Sequence, residues 1–471
     1  MLDQSFSAHN LEIIFDLENR KGNIDINWLP ESYRNAAAEM KKLRHQIGEL
    51  KSKGHKKSKE DIERIIALEK KYIIEKDKKE ESRQAFLKDC EDKINSRDFK
   101  FTMTKFLDVE ANKEVFKLNT SEPAVYFVLK QLQYNINKTF QVKQANRHAI
   151  LCNVKAFLHT QMPLHIIRTD ISSFYESIPQ TSLLEKIEGN TLLNHKSKVF
   201  IRAILKLYDD CKDESRVSKG IGIPRGVGIS PLLSEIYVRD IDSRIKSFIG
   251  TQFYARYVDD IFVILTTLPD RKKSANDCFI EIKSMFGKYG LTLKDETDPK
   301  KKCKILDVID DKSFGSFDYL GYNITITRVK KRTMATFGLS ENKIKHFKDK
   351  VDHIVAHFEN KSGVNIKDAY KELFDSLNYI TGNTKLFKSK ASVKIGLYYN
   401  NDLLDKKEDL DTLQQYLRDK NIEPSHKVTG WEICKETIAN KIQKIDFRER
   451  WEQKKMFHFS LAKIQEMEAW L

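Results

Sequence analysis

The sequence predicts an α+β fold, a mixed centre set between two helical flanks, and three patterns carry that prediction. Between about 100 and 330, short β-rich runs such as His165-Ile166-Ile167-Arg168-Thr169 and Phe262-Val263-Ile264-Leu265 alternate with helical stretches. Before that centre, apolar residues recur at three- and four-residue steps, the period of a helix face. After it the helical period returns. The boundaries fall at 1–99 for an N-terminal extension, 100–330 for the mixed region and 331–471 for a helical C-terminal region.

In the N-terminal flank Pro30 precedes a stripe of Met40, Leu43, Ile47 and Leu50. Gly54 interrupts it inside the basic run Lys51-Ser52-Lys53-Gly54-His55-Lys56-Lys57. Ser58 with Asp61 then has the spacing of a helix start. Ile62, Ile65, Ile66 and Ile73 extend a second stripe to about residue 95. The pattern predicts a lysine-rich helical hairpin. It is either a solvated pair packed on the core or an arm that binds RNA or a partner. In the C-terminal flank Ser340 is placed to cap a helix with the apolar face Ile344, Phe347, Val351, Ile354, Val355 and Phe358. His353 and His357 lie one turn apart there without a third ligand and are read as surface or packing histidines.

Lysine and arginine outnumber the acids 83 to 68, a formal charge of +15. That balance favours a polyanionic partner, nucleic acid before membrane surface. With 40% hydrophobic residues the 471-residue chain can bury a core, and 32% are charged. No apolar run reaches the roughly 20 residues of a membrane span. The N-terminus lacks the pattern of a signal peptide. The six cysteines are scattered with no C-x-x-C pair, as expected of free thiols in a reducing cytosol, and no zinc site is expected.

The strongest chemical signal is Tyr254-Ala255-Arg256-Tyr257-Val258-Asp259-Asp260-Ile261-Phe262-Val263-Ile264-Leu265. Two acids stand between two strand-like runs, so a β-hairpin would carry both at its tip. Paired carboxylates are costly to hold together unless a cation neutralises them. Hard oxygen ligands suit Mg²⁺. Asp170 ends another apolar run, Ile166-Ile167-Arg168-Thr169-Asp170-Ile171-Ser172-Ser173-Phe174-Tyr175, and would meet the same ions. Three carboxylates from two neighbouring strands would make a two-metal site that activates a hydroxyl and steadies a leaving pyrophosphate. Tyr208-Asp209-Asp210 and Asp310-Asp311 repeat the acid pair, but both run into polar segments with no strand following.

In this setting the run from about 140 to 325 resembles the fingers and palm of reverse transcriptases. Asp170 to Tyr175 resembles the family's first aspartate motif, and Ile223-Pro224-Arg225-Gly226-Val227-Gly228-Ile229-Ser230-Pro231-Leu232-Leu233-Ser234 its glycine-rich motif. Tyr257-Val258-Asp259-Asp260 resembles the signature hairpin, and Phe317-Asp318-Tyr319-Leu320-Gly321-Tyr322 the primer-grip segment. The order is the family's order. The resemblance implies a right-hand polymerase: fingers and palm with an antiparallel sheet, a helical thumb and a helical N-terminal extension.

By position, the resemblance implies that Asp170 and Asp259 bind two Mg²⁺ ions, with the Ile171 carbonyl helping and Asp260 in support. Tyr175, five residues after Asp170, falls where the family places the steric gate against a ribose 2′-hydroxyl. The implied substrate is therefore a dNTP. Gly226 and Gly228 would let backbone approach the incoming base pair and template. Lys143 and Arg147 fall where the fingers grip the triphosphate. Tyr319, Gly321 and Tyr322 fall at primer and template. Two departures stand out. Arg225 replaces the usual glutamine and would add a cation near the nucleotide or template. Gly290-Leu291-Thr292-Leu293-Lys294-Asp295-Glu296-Thr297 ends in threonine where the family has a lysine beside the pyrophosphate. Lys300, or Lys301 or Lys302, would then be the general acid.

Beyond the palm, Leu339-Ser340-Glu341-Asn342-Lys343-Ile344, Tyr379-Ile380-Thr381-Gly382-Asn383-Thr384-Lys385-Leu386 and Ile395-Gly396-Leu397-Tyr398-Tyr399-Asn400-Asn401 resemble bacterial defence-associated reverse transcriptases of the formerly unclassified groups. Within these the likeness is to the first polymerase of the two-polymerase type-three antiphage system. It implies a bacterial cytoplasmic enzyme of antiviral defence with a noncoding RNA as template or scaffold and a DNA product. A second reverse transcriptase or a higher-order oligomer would be its partner, with no membrane involved. RNA contacts would fall on the helical hairpin and the C-terminal helices, with Lys343, Lys345 and Lys348 along a primer strand or on a solvated face. Three rivals remain: an untemplated or protein-primed nucleotidyltransferase, an RNA-binding structural subunit with a vestigial palm, and a group II intron or retron enzyme.

Overall fold

The computed structural model describes residues 3–54, 58–109, 112–142, 145–267, 273–386, 393–424 and 431–471. Its chain forms two compact units. The first comprises Met1–Gln144, Ser172–Ile241 and Phe286–Thr292; the second comprises Ala145–Ile171, Asp242–Met285 and Leu293–Leu471. The fold is mixed α+β, and its named strands pair antiparallel throughout.

In the first unit the helices Glu31–Ser52 and Lys59–Asn95 pack along each other. The second begins in a capping box. The Asp61 amide donates to Ser58 Oγ and the Ser58 amide to Asp61 Oδ2, each at 3.1 Å. That reciprocal pair satisfies two backbone donors the helix would otherwise leave open. Phe86, Leu87, Cys90 and Ile94 are buried at the far end of the long helix. Of the predicted isoleucine stripe only Ile65 is buried, and Ile62, Ile66 and Ile73 are exposed. The reason is local: the contacts of this helix with Ala8–Lys21 and Pro123–Phe140 draw on its buried far end. His55, Lys56 and Lys57 of the basic run lie outside the described residues. Strands β1 (Met103–Asp108) and β2 (Lys113–Leu118) form a hairpin in the same unit.

The second unit holds a four-stranded sheet of order β4-β5-β3-β6, with β3 Leu164–Asp170, β4 Thr251–Tyr257, β5 Asp260–Thr266 and β6 Lys304–Val308. The two central strands are buried along nearly their whole length because both faces are covered, although β3 includes His165 and Arg168. Ile166, Ile167, Phe262, Val263 and Ile264 are fully buried. Each such side chain contributes on the order of 1.5–3 kcal/mol. Strands β7 (Phe314–Tyr319), β8 (Tyr322–Val329) and β9 (Arg332–Leu339) form a second sheet. It is covered on one side only, so β8 alternates buried and half-buried positions.

Ser340 caps the helix Glu341–Ser362, its hydroxyl accepting from the Lys343 amide at 3.3 Å. The predicted apolar face of that helix packs on Leu373, Leu377, Leu410, Leu413, Phe447 and Trp451. His357 contacts Glu372 at 2.8 Å and stacks on Trp470, while His353 contacts the Leu471 carbonyl. Strands β10 (Asn383–Lys385) and β11 (Lys394–Gly396) pair beside this core. There the buried Asn383 carbonyl Oδ1 accepts from the Tyr398 amide at 2.9 Å, and Asn401 Nδ2 donates to Leu397 O at 2.8 Å. These asparagines are therefore structural members of the segments singled out in the sequence. No helix among the described residues is long and apolar enough to cross a membrane.

Candidate active site

Strands β4 and β5 meet in a two-residue turn, with Tyr257 opposite Asp260. Val258 holds φ +60° at its first central position, a conformation β-branched residues rarely adopt. Backbone strain of this kind costs about 1–3 kcal/mol and persists only when the surroundings over-determine it. Here the Arg256 guanidinium donates to Val258 O at 2.8 Å and is itself fixed by Asp242 at 2.8–3.0 Å. On the other side of the turn the Ile171 amide donates to Asp259 O at 3.0 Å. The tip is thus held from both ends, with Asp259 and Asp260 presented at the edge.

Asp170, the last residue of β3, lies directly opposite Asp260 of β5. Like charges directly across a ladder destabilise a sheet, so this pair needs cations. Three side chains of the second unit supply them. Arg168 Nη2 donates to Asp260 Oδ1 at 2.7 Å, Lys294 Nζ lies 2.7 Å from Asp170 Oδ2, and Lys302 Nζ lies 3.8 Å from Asp170 Oδ1. Burial pushes the Asp259 carboxyl above its ordinary range, and the Asp170 charge pushes it further. Burial also raises Asp260, against the pull of Arg168 and Lys302.

The donor set fits a hard divalent cation. Asp170 is 3% exposed, and its Oδ1 is buried with no hydrogen-bond partner among the described residues. Carboxylate oxygens are the ligands Mg²⁺ prefers. Among the described residues, however, no three acidic, histidine or cysteine side chains stand together as a ready-made cluster. The three carboxylates expected together are thus partly engaged, Asp260 by Arg168 and Asp170 by Lys294.

The first unit gathers a second set. The Ile223 amide donates to Tyr175 O and the Gly222 amide to Ile178 O, both at 2.8 Å. On its other side the Phe116 amide of β2 donates to Arg225 O at 2.7 Å. Gly226 sits at φ +92°, where a Cβ would lie 2.7 Å from Phe116 O, so glycine is required. A Cβ at Gly228 would strike the Gln133 side chain. Arg225 forks onto Glu176, with Nε 3.0 Å and Nη2 2.9 Å from Oε1. The cation read in the sequence as facing nucleotide or template is paired within its own unit.

Residues 116–324 match the family described as reverse transcriptase (RNA-dependent DNA polymerase). This segment is similar to a reverse transcriptase domain. The activity named for that family is RNA-directed DNA polymerase, and the matched segment contains Asp170, Tyr175, Arg225, Asp259 and Asp260. Among solved structures, apo telomerase from Candida tropicalis aligns at 15% identity and TM-score 0.29, covering 43% of this chain and 43% of that one. The same telomerase in complex with a fragment of telomeric RNA aligns at 13% identity and TM-score 0.31, covering 70% and 56%. Telomerase from Candida albicans aligns at 13% identity and TM-score 0.34, covering 82% and 76%. The chain thus spans about half the length of the first two telomerase chains.

Other positions singled out in the sequence take less exposed places. Tyr319 and Tyr322 are 1% and 2% exposed, and Tyr319 packs on Phe262 with ring centroids 4.9 Å apart. Their side chains fill the core, which leaves the turn between them at the surface. That turn, Leu320 and Gly321, has φ +44° and +78°, the pattern of a type I′ hairpin. Arg147 donates to Leu320 O through Nε at 3.0 Å and Nη2 at 2.5 Å, so its guanidinium braces this turn. Lys143 lies outside the described residues. Lys300 is exposed, whereas Lys294 and Lys302 reach Asp170. Sequence reasoning passed over Lys294 and Arg168. Period-two alternation was the signal available for the latter, since Arg168 and Asp170 share one face of β3.

Proposed function

We propose that the chain copies a nucleic-acid template by adding dNTPs to a 3′-hydroxyl, with Asp170 and Asp259 holding two Mg²⁺ ions and Asp260 in support. One observation carries this reading: a directly opposed pair of acids, the buried Asp170 that ends β3 and the half-buried Asp260 that opens β5, with a third at the adjacent turn. A divalent ion bound there would act as a Lewis acid toward the attacking hydroxyl and neutralise charge on the leaving pyrophosphate. The chain's own residues do the rest. Ile171 and Arg256 fix the turn, Arg168 orients Asp260, and Lys294 stands 2.7 Å from Asp170 as a proton donor for the departing group. Tyr175 excludes the ribose 2′-hydroxyl. The architecture is a right hand with a helical thumb after residue 331 and a helical extension before residue 100.

Further, the reading places the enzyme in the bacterial cytoplasm, in antiphage defence, with a noncoding RNA template and a second reverse transcriptase as partner. The segments around Ser340, Asn383 and Asn401 support it. The test is to purify the protein with its bound nucleic acid, add Mg²⁺ and labelled dNTPs, and sequence the product beside an Asp259→Asn/Asp260→Asn control. A product that mirrors a co-purified RNA and vanishes in the control supports the reading. An unrelated homopolymer points to untemplated synthesis. Defence that survives the double substitution points to a structural subunit.

A further inference from the structure

We infer that the Glu176–Arg225 ion pair is a positioning device that clamps the Tyr175 ring and thereby sets how strictly ribonucleotides are refused. The inference rests on the reading of Tyr175 as the gate and adds what holds the gate in place. Three observations converge on it, all within the first unit. The Arg225 guanidinium lies over the Tyr175 ring, 5.1 Å from its centroid. The Phe174 ring, from a residue 2% exposed, lies 5.5 Å from the same ring at a tilt of 37°. The tyrosine is therefore flanked by a buried aromatic and by a cation.

That cation is not free to wander. Nε and Nη2 of Arg225 donate to Glu176 Oε1 at 3.0 and 2.9 Å, and Nη2 also reaches Oε2 at 3.2 Å. A planar fork on a carboxylate fixes orientation as well as distance. Glu176 is the residue directly after the tyrosine, so the pair ties the glycine-rich loop to the gate's own backbone. The Ile223 amide repeats the tie by donating to Tyr175 O at 2.8 Å. Both partners are mostly covered, with 29% and 21% of their side chains exposed. A cavity of about 560 Å³ lies against the pair, lined in part by Phe116, Tyr208 and Ile223. Without Glu176 the guanidinium has that space to swing into, and the tyrosine ring loses one wall.

A steric gate works by a fraction of an oxygen radius. Misplacement of a positioning group by about 1 Å changes rates by up to about 100-fold. A ring released on one side yields to the 2′-hydroxyl before it yields to anything else.

The experiment measures kcat/KM for a dNTP and for the matching rNTP with the full chain on a primed template. The variants are Arg225→Met, Arg225→Lys, Glu176→Gln, the exchange Glu176→Arg/Arg225→Glu, and Tyr175→Ala. Arg225→Met and Glu176→Gln are each expected to lower the dNTP-over-rNTP ratio about tenfold, Arg225→Lys by less, and the exchange to recover part of it. Glu176→Gln is nearly isosteric and keeps the comparison valid should Arg225→Met fold poorly. If Tyr175→Ala lowers the ratio while Arg225→Met and Glu176→Gln stay within twofold of the unsubstituted chain, the clamp is refuted and the gate stands. If Tyr175→Ala leaves the ratio unchanged, gate and clamp fall together. No product from the unsubstituted chain with any nucleotide overturns the polymerase reading itself.

Discussion

The sheet end of the second unit and the glycine-rich loop of the first both hold buried charge, and they hold it differently. In the loop one carboxylate meets one guanidinium through three contacts of 2.9–3.2 Å, and backbone hydrogen bonds close both sides. At the sheet end three acids face Arg168, Lys294 and Lys302, yet Asp170 Oδ1 keeps no hydrogen-bond partner among the described residues and both Asp259 and Asp260 are raised by burial. Charge that is matched internally needs nothing from outside and can position other groups. Charge that is left partly unmatched is, under the proposed function, open to a bound cation. Under the proposed function the two regions divide the work into holding and reacting.

The largest expected effect tests the reacting side. Asp259→Asn should lower DNA synthesis by on the order of a thousandfold, read as incorporation of labelled dNTP. It should also abolish any rise in melting temperature that Mg²⁺ gives the unsubstituted protein. A variant that still polymerises at a tenth of the normal rate would break the contrast. Next come the lysines. Lys294→Met should slow single-turnover incorporation about tenfold, whereas Lys300→Met should stay within twofold, because only the former reaches Asp170. Equal effects from both would return the general acid to the 300–302 run.

On the holding side, Gly226→Ala forces a Cβ to 2.7 Å from Phe116 O at φ +92°. Denaturant unfolding should show a loss of about 1–3 kcal/mol. No loss would mean that the loop is softer than its hydrogen bonds indicate.

A smaller effect concerns Lys343, whose ammonium lies 4.9 Å from the centroid of the Tyr322 ring. Burial, and then the charge of Arg147, lowers it from 10.5 to about 7. Between those values the unfolded chain binds this proton and the folded chain does not, so stability rises with pH across that window and the penalty is fully present below it. The slope contributed is at most about 1.4 kcal/mol per pH unit. Lys343→Met should flatten the unfolding profile between about pH 7 and 10.

What was legible in the sequence follows from the range of each interaction. The strands β3 and β5 and their acids could be read because β-rich apolar runs bounded by aspartate, at the end of β3 and the start of β5, are a local pattern. Ser58 with Asp61 and Ser340 were readable for the same reason, since a cap is decided within four residues. Lys294 was not, because one lysine among 83 basic residues carries no signal of its own. The antiparallel bridge of Ile171 with Leu293 and the hydrogen bond from the Lys294 amide to Asp170 O bring it beside Asp170. Arg225 stood out as a departure, but its partner lies 49 residues away and no spacing announces it. The exposed isoleucines of the long helix show the converse, a clear helical period whose buried side the sequence cannot choose.

Val258 offers a consequence for evolution rather than for mechanism. Its left-handed backbone is one that glycine would adopt without strain, so Val258→Gly should stabilise the fold by about 1 kcal/mol while loosening the turn that carries Asp259. A population selected only for thermal endurance would drift toward glycine at this position and lose activity as it did so.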